Sequence, residues 1–320
     1  MGRTVADVIK DTTREHLTKN RGLFFGQCVT AVGWIGGTVP EMSEAEGLVE
    51  LSLADVANAG IVVGAALAGR RPIYTVRYQG FMWYNAGPIV NYAAKSKSVW
   101  GVACPLFLRA IAMEGNGIGP VASASQHGLI MRMPGMPICA PMSPNEWAEA
   151  WEWFMLHDDP LYVSEHRRSF KIDYEFENDV EREADITLFP ISAARLNAIE
   201  AAEALRHEGI ACHIVHLVWL KPFTVTDGML KSLSRTKLGL VIDSDFEIGG
   251  PSRSIAYDLM HKSGAAVFAL GLEDRTAGVA PSLDNPTPTA EKIAHTVREL
   301  VRNRRVIDRP FQEEICDPYR

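Results

Sequence analysis

The chain has 320 residues, 47% of them hydrophobic and 22% charged, with a formal net charge of −7. That length is enough for two ordinary domains, each burying its own core. The mild acidity excludes nucleic acid as the main partner, because phosphate binding needs a concentrated basic surface.

In chain order, apolar residues recur at helical spacing over residues 5–19, 56–68, 89–97, 144–156, 194–208 and 290–303. Short β-branched or aromatic runs lie between them at 23–25, 73–76, 106–111, 138–140, 161–164, 186–189, 211–217, 238–242 and 266–269. Strands alternating with helices predict an α/β protein of two domains, each a mostly parallel sheet flanked by helices. Residues 171–183 are acidic and poor in aliphatics, which predicts a strap between two units spanning residues 1–183 and 184–305. Residues 306–320 read as a tail. Gly209 is the expected stop of the helix that opens the second unit. The five cysteines, Cys28, Cys104, Cys139, Cys212 and Cys316, contain no C-x-x-C pair. Such a scatter is expected of reduced thiols. The first twenty residues hold no signal-type apolar core, and the longest apolar run, 60–69, is about half a bilayer span. A cytoplasmic protein without a membrane segment is expected.

Residues 49–95 carry the most information. They run from a short extended stretch to Asp55, then a helix of small residues (Ala59, Gly60, Gly64, Ala65, Ala66, Ala68), then Gly69-Arg70-Arg71-Pro72 and a second strand. That strand empties into Tyr78, Phe81, Trp83 and Tyr84, and a helix is expected to begin near Ile89. An acid beside a strand end stands where open α/β sheets bind ligands, and aromatic rings beside it suit a flat, protonatable heterocycle. Asp is also a common helix cap, so Asp55 has that second reading.

The frame LADVANAGIVVGAALAGRRP, followed by GFMWYNAGPIVNYAAK, resembles the pyrimidine-binding domain of thiamine-diphosphate enzymes of the transketolase superfamily. The likeness is strongest to β subunits of 2-oxo acid dehydrogenases of the pyruvate, branched-chain and acetoin type, whose motif reads ISEAGFVGAAxGAAMAGxRP and then DFxxxAxDQIVNQAAK. It extends from about Thr4 to about Leu300, through Leu23-Phe24-Phe25-Gly26, His157-Asp158-Asp159-Pro160, Ser164-Glu165-His166 and His216 to Phe223. The resemblance implies a pyrimidine-binding unit over residues 1–183 and a transketolase C-terminal-like unit over 184–305.

The resemblance also implies a chemistry. The thiazolium carbon of thiamine diphosphate is deprotonated by the cofactor's own aminopyrimidine, once a carboxylate hydrogen-bonds a ring nitrogen. A family glutamate matches Asp55, in a register without gaps from Pro72. Aspartate is shorter by one methylene, about 1.5 Å of reach. Tyr78 and Phe81 match the aromatics that stack on the pyrimidine, and Gln27 and Cys28 replace the acidic pair of LGEDV near the same ring. Asn85-Ala86-Gly87-Pro88 stands in place of A-x-D-Q, so hydrogen bonds from that Asp and Gln are expected to be missing.

The loop of residues 113–128 follows a strand, as a phosphate cradle would. Its glycines, Gly115-x-Gly117-x-Gly119, lack the G-x-G-x-x-G spacing, and no acid follows the next strand. In the family this loop carries a histidine that acts on the substrate. The ungapped count lands on Ala122 or Val121, and the only nearby histidine is His127. His127 is therefore the candidate acid or base, with a buried structural role as the alternative reading. Arg132 and Trp83 are candidate substrate contacts, Arg132 for a carboxylate or phosphate. No metal ligand set is found. His213 and His216, three apart on a strand, face opposite ways.

No Gly-Asp-Gly occurs in the chain. In the superfamily that motif holds the cofactor's pyrophosphate through Mg2+, and the split enzymes carry it on an α subunit. The implied assembly is an α2β2 heterotetramer with a shared active site, a second β chain against the second unit and a small-molecule carbonyl substrate. The donors in question are a 2-oxo acid, an acyloin or diketone, or a ketose. A lipoyl acyltransferase is a further implied partner, and the 157–160 loop matches a segment that binds a structural monovalent cation. The alternative is a catalytically silent structural or regulatory subunit, and neither nucleic acid nor membrane is a partner.

Overall fold

A computed structural model describes residues 2–115, 118–180 and 183–303. The expected tail, 306–320, and residues 304 and 305 lie outside these.

The described strands are β1 (Leu23–Gln27), β2 (Leu48–Leu51), β3 (Pro72–Val76), β4 (Phe107–Ala112), β5 (Ile138–Cys139), β6 (Leu161–His166), β7 (Ile186–Pro190), β8 (Cys212–Ile214), β9 (Trp219–Lys221), β10 (Leu238–Phe246) and β11 (Ala266–Leu272). They form two sheets, ordered β2-β1-β3-β4-β6-β5-β9 and β11-β10-β7-β8. Every pairing is parallel except β5 with β9, which closes the edge of the first sheet. The residues of β3, β4, β6 and β7 are buried throughout. Burial along the whole strand is what a parallel sheet covered on both faces imposes, and the charges inside it are paired, Arg109 of β4 with Glu165 of β6 at 2.6 Å.

The helices are α1 (Val5–Lys19), α2 (Gly33–Gly37), α3 (Asp55–Leu67), α4 (Met82–Asn91), α5 (Ser96–Trp100), α6 (Gly128–Met131), α7 (Pro144–Leu156), α8 (Ala194–His207), α9 (Asp227–Thr236), α10 (Pro251–Ser263) and α11 (Ala290–Arg302). Local caps set the firmest boundaries. Thr4 with Asp7 opens α1, and Ser143 with Glu146 opens α7, each as a reciprocal capping box. The short turn α2 is left-handed at Trp34, Ile35 and Gly36, pinned by the buried Ile35. Helices α1 and α7 cover one face of the first sheet, where Trp147 and Phe154 meet Phe107. Helices α3 and α4 cover the other, with Ala59, Val62, Ala66 and Ile89 over Tyr74.

Three expectations are corrected. The extended run ends at Leu51, and Asp55 is the first residue of α3. The helix expected from Ile89 starts at Met82 and stops at Asn91, with Tyr92 at φ −117. Pro88 lies inside α4, whose buried Met82, Asn85 and Ile89 give it a core-facing stripe. Only 212–214 of the expected 211–217 strand is regular, and Leu217 makes an isolated bridge to Ile191. No helix among the described residues is long and apolar enough to cross a membrane.

Candidate functional site

In the first sheet β1 leads to β2 on one side, while β3 leads to β4 on the other. Two adjacent strands whose connections diverge at their carboxyl ends leave a crevice, the usual ligand position in open α/β sheets. A cleft of about 270 Å³ opens there. Gln27 and Cys28 line it from the end of β1, Thr75, Val76 and Arg77 from the end of β3, and Asp55 and Phe81 from the following helical segments.

Asp55 is half-buried in the first turn of α3, where the helix dipole favours a negative charge. It does not cap the helix: Ala54 holds the cap position and no side chain bonds there. Its Oδ1 instead accepts a hydrogen bond from Asn85 Nδ2 at 2.8 Å. Asn85 also donates to the Phe81 carbonyl at 2.9 Å and accepts from the Tyr74 hydroxyl at 2.6 Å. Asn85 thus makes three bonds, while Gly87 and Pro88 stand at the Asp and Gln positions of the family segment, whose bonds were expected to be missing. Burial, reinforced by the nearby Asp55 charge, pushes the Tyr74 phenol well above its ordinary value, so it stays a neutral donor. The Gln27 amide pulls weakly the other way, although its nitrogen makes no hydrogen bond of acceptable geometry. Gln27 Nε2 and Thr75 Oγ1 are both buried and unpartnered among the described residues. An acceptor, a donor and a hydroxyl in one cleft, with no protein partner for the last two, are groups that a polar ring would satisfy.

Phe81 joins this cleft, and Tyr78 packs on it edge-to-face with ring centroids 5.8 Å apart. Arg77 lies over the Tyr78 ring at 5.0 Å. Tyr78 itself supports the wall without lining it.

Trp83 and Arg132 meet elsewhere. They line a second cleft, of about 420 Å³, with Gln126, Asp245 and the Gly249-Gly250 turn. Trp83 Nε1 donates to Gln126 Oε1 at 2.7 Å. His127 is brought to neither opening. It is wholly buried, 2.8 Å from Ser164 Oγ through Nδ1 and 3.1 Å from the Asp243 carboxylate through Nε2. Asp243 and Asp245 end β10, beside β7, where the second sheet's connections diverge. The first unit's loop fills that crevice, with Gly128 N donating to Asp245 Oδ2 at 2.6 Å. Burial lowers the His127 pKa, but the Asp243 and Asp245 carboxylates outweigh it and hold it above the ordinary value. Asp245 is pushed up to about 6, chiefly by burial. In the 157–160 loop, Asp158 pairs with Arg71 at 2.7 Å and Asp159 with Lys97 at 2.9 Å. The described residues contain no cluster of three or more His, Cys, Asp or Glu suited to a metal.

Sequence reasoning missed Tyr74, Thr75, Asp243 and Asp245. Tyr74 and Thr75 had a usable signal, since both lie in the final residues of the strand after Asp55. Nothing local marked the aspartates, which act on a residue more than a hundred positions away.

The family model for the transketolase pyrimidine binding domain matches residues 9–172, and that for the transketolase C-terminal domain matches 176–293. The chain is 27% identical over 273 residues to the 2-oxoisovalerate dehydrogenase subunit beta of Bacillus subtilis, covering 78% of this chain and 82% of the relative. It is also 27% identical over 279 residues to the beta subunit of acetoin:2,6-dichlorophenolindophenol oxidoreductase from Cupriavidus necator, covering 80% of each. It is 24% identical over 311 residues to the pyruvate dehydrogenase E1 component subunit beta of Rickettsia bellii, covering 91% of this chain and 94% of the relative. Among solved structures, an inactive β4 tetramer of a split-gene transketolase superposes with a TM-score of 0.71 at 18% identity, over 94% of this chain and 99% of that one. Transketolase from Campylobacter jejuni gives 0.68 at 16% identity, over 93% of this chain and 47% of that one. The pyrimidine-domain match alone spans just over half the residues, and the chain belongs to the transketolase family.

Proposed function

We propose that this chain is the β-type half of a split thiamine-diphosphate enzyme acting on a C–C bond next to a carbonyl, with an active site completed by a second polypeptide. One observation carries the reading: the Asp55 carboxylate, the Gln27 amide nitrogen and the Thr75 hydroxyl share a cleft, the last two buried without partners among the described residues. These groups fit an aminopyrimidine, with Asp55 at a ring nitrogen, Gln27 and Thr75 toward the polar edge and Phe81 against the ring face. When bound, the cofactor would supply the electron sink for cleavage beside the carbonyl. The chain's own work would be to hold a proton between Asp55 and the ring nitrogen, to orient the ring through Phe81 and to keep water from its buried edge. A silent subunit gives no account of polar groups left unsatisfied in the crevice.

The partner follows from α3. Its buried side, Ala59, Val62, Val63 and Ala66, faces the core, yet its outer side is also apolar: Val56 is 60% and Ile61 51% exposed, beside Gly60, Gly64 and Leu67. A helix apolar all round belongs inside an assembly. An α-type chain bearing Gly-Asp-Gly, and with it the Mg2+ and pyrophosphate, would cover this face. Trp83 lies two residues beyond Phe81, and its cleft with Arg132 would take the carboxylate or phosphate end of the substrate.

The test is reconstitution with an α-type chain. Replacing Asp55 by Ala should cut turnover at least a hundredfold and weaken thiamine-diphosphate binding by calorimetry, while the complex still assembles. Unchanged turnover and affinity would refute the proposal.

A further inference from the structure

Asn85 is fully buried and joins three elements: Tyr74 in β3, the Phe81 carbonyl at the start of α4, and Asp55 in α3. The orientation of its amide follows from its neighbours. The Phe81 carbonyl and an ionised Asp55 can only accept, so both must face Nδ2, which leaves Oδ1 for the Tyr74 hydroxyl. Tyr74 is 1% exposed and sits on the sheet itself, so the amide is anchored to the most rigid element nearby.

We infer that Asn85 is a positioning residue: it locks one oxygen of Asp55, so that the other, unpartnered among the described residues, is presented to the ring bound in the cleft. The inference rests on the proposed role of Asp55. Without Asn85, nothing among the described residues tethers the Asp55 carboxylate, because neither a cap bond nor an ion pair holds it. Free rotation about its two side-chain torsions would swing the oxygens by more than an ångström, and misplacement on that scale costs about a hundredfold in well-organised sites. A short acid makes the tether matter more, since aspartate has less length than glutamate with which to recover the contact.

The test uses the full complex with its α-type partner, and compares Asp55→Ala, Asn85→Ala and Tyr74→Phe. Three quantities are read: exchange of the cofactor's acidic C2 proton by NMR, thiamine-diphosphate affinity by calorimetry, and the Asp55 rotamer in cofactor-free crystals. Asn85→Ala should slow exchange by roughly 10–100-fold, change affinity far less, and release Asp55 into another rotamer. Tyr74→Phe, which keeps the amide but frees its far end, should give a smaller loss of the same kind and serves if Asn85→Ala does not fold. If Asn85 merely tied α4 to α3, assembly yield and melting temperature would fall while exchange per assembled complex held steady, and the inference would be overturned. Loss of exchange in Asp55→Ala but not in the other two overturns the inference alone. Normal exchange in Asp55→Ala overturns the underlying role of Asp55 as well.

Discussion

Arg195 in the first turn of α8 grips Glu146 in the first turn of α7 through two parallel hydrogen bonds of 2.7 and 2.6 Å. The guanidinium is wholly buried, stacks 4.1 Å from the Phe176 ring and donates through Nε to His216 at 3.2 Å. Burial would raise the Glu146 carboxyl, but the Arg195 bonds and charge, with the Met142 and Ser143 N–H groups, hold it below the ordinary value. One carboxylate therefore caps α7 and fastens the second unit to the first. Burial and the Arg195 charge push His216 down to about 3, so it is neutral and can accept that bond.

Breaking a buried pair on one side leaves a charge with nothing to compensate it, a loss of about 3–5 kcal/mol. Arg195→Met should lower the unfolding free energy by that order in urea titration. Arg195→Met with Glu146→Gln should recover part of it. Equal stability of the single variant and the parent would contradict the role given to this pair.

His127 offers a pH test. Its native pKa is raised above 6.5, so its contribution to stability is complete below about that pH and is lost as pH rises through the native value. His127→Gln should therefore lower the melting temperature more at about pH 6 than at about pH 9. Asp243, Asp245 and Ser164 are the polar groups facing the ring. A penalty that does not vary with pH would mean that the imidazole carries no charge there.

Gly80 is needed for close approach. A Cβ at this position would stand 1.8 Å from the Val121 carbonyl oxygen, beside Phe81. Gly80→Ala should destabilise by about 1–3 kcal/mol through overpacking and weaken cofactor binding as Phe81 shifts. Retention of both stability and affinity would show that the 119–125 segment yields freely.

Gly60 is the converse case. A Cβ there meets nothing within 4 Å, and Gly costs a helix interior up to about 1 kcal/mol relative to Ala. Gly60→Arg should leave the isolated chain as stable as before, or slightly more so, yet block assembly with an α-type partner in size-exclusion chromatography. Assembly that proceeds normally would move the partner off this face.

Legibility tracked the range of the forces involved. The bounds of α1 and α7 were readable because Thr4 with Asp7, and Ser143 with Glu146, settle each helix start within four residues. The start of α4 was misread because it is set by the core contacts of Met82 and Asn85, which exist only once the sheet has formed. Helices α9 and α10 were passed over among polar residues whose apolar partners lie on other elements. At the site, the glycines and Pro72 gave Asp55 its register. Asn85, to which no role was assigned, became the group holding Asp55, and His127 went to Asp243.

The order of amino acids alone determined two parallel α/β units, an acid at a strand-helix junction and the absence of a pyrophosphate motif. Backbone periodicity, short-range caps and composition are properties of neighbours along the chain. Only the folded arrangement decided which polar groups meet. The cleft between β1 and β3, the Tyr74–Asn85–Asp55 chain and the burial of His127 depend on residues brought together from distant positions, where desolvation and hydrogen-bond geometry select the partner.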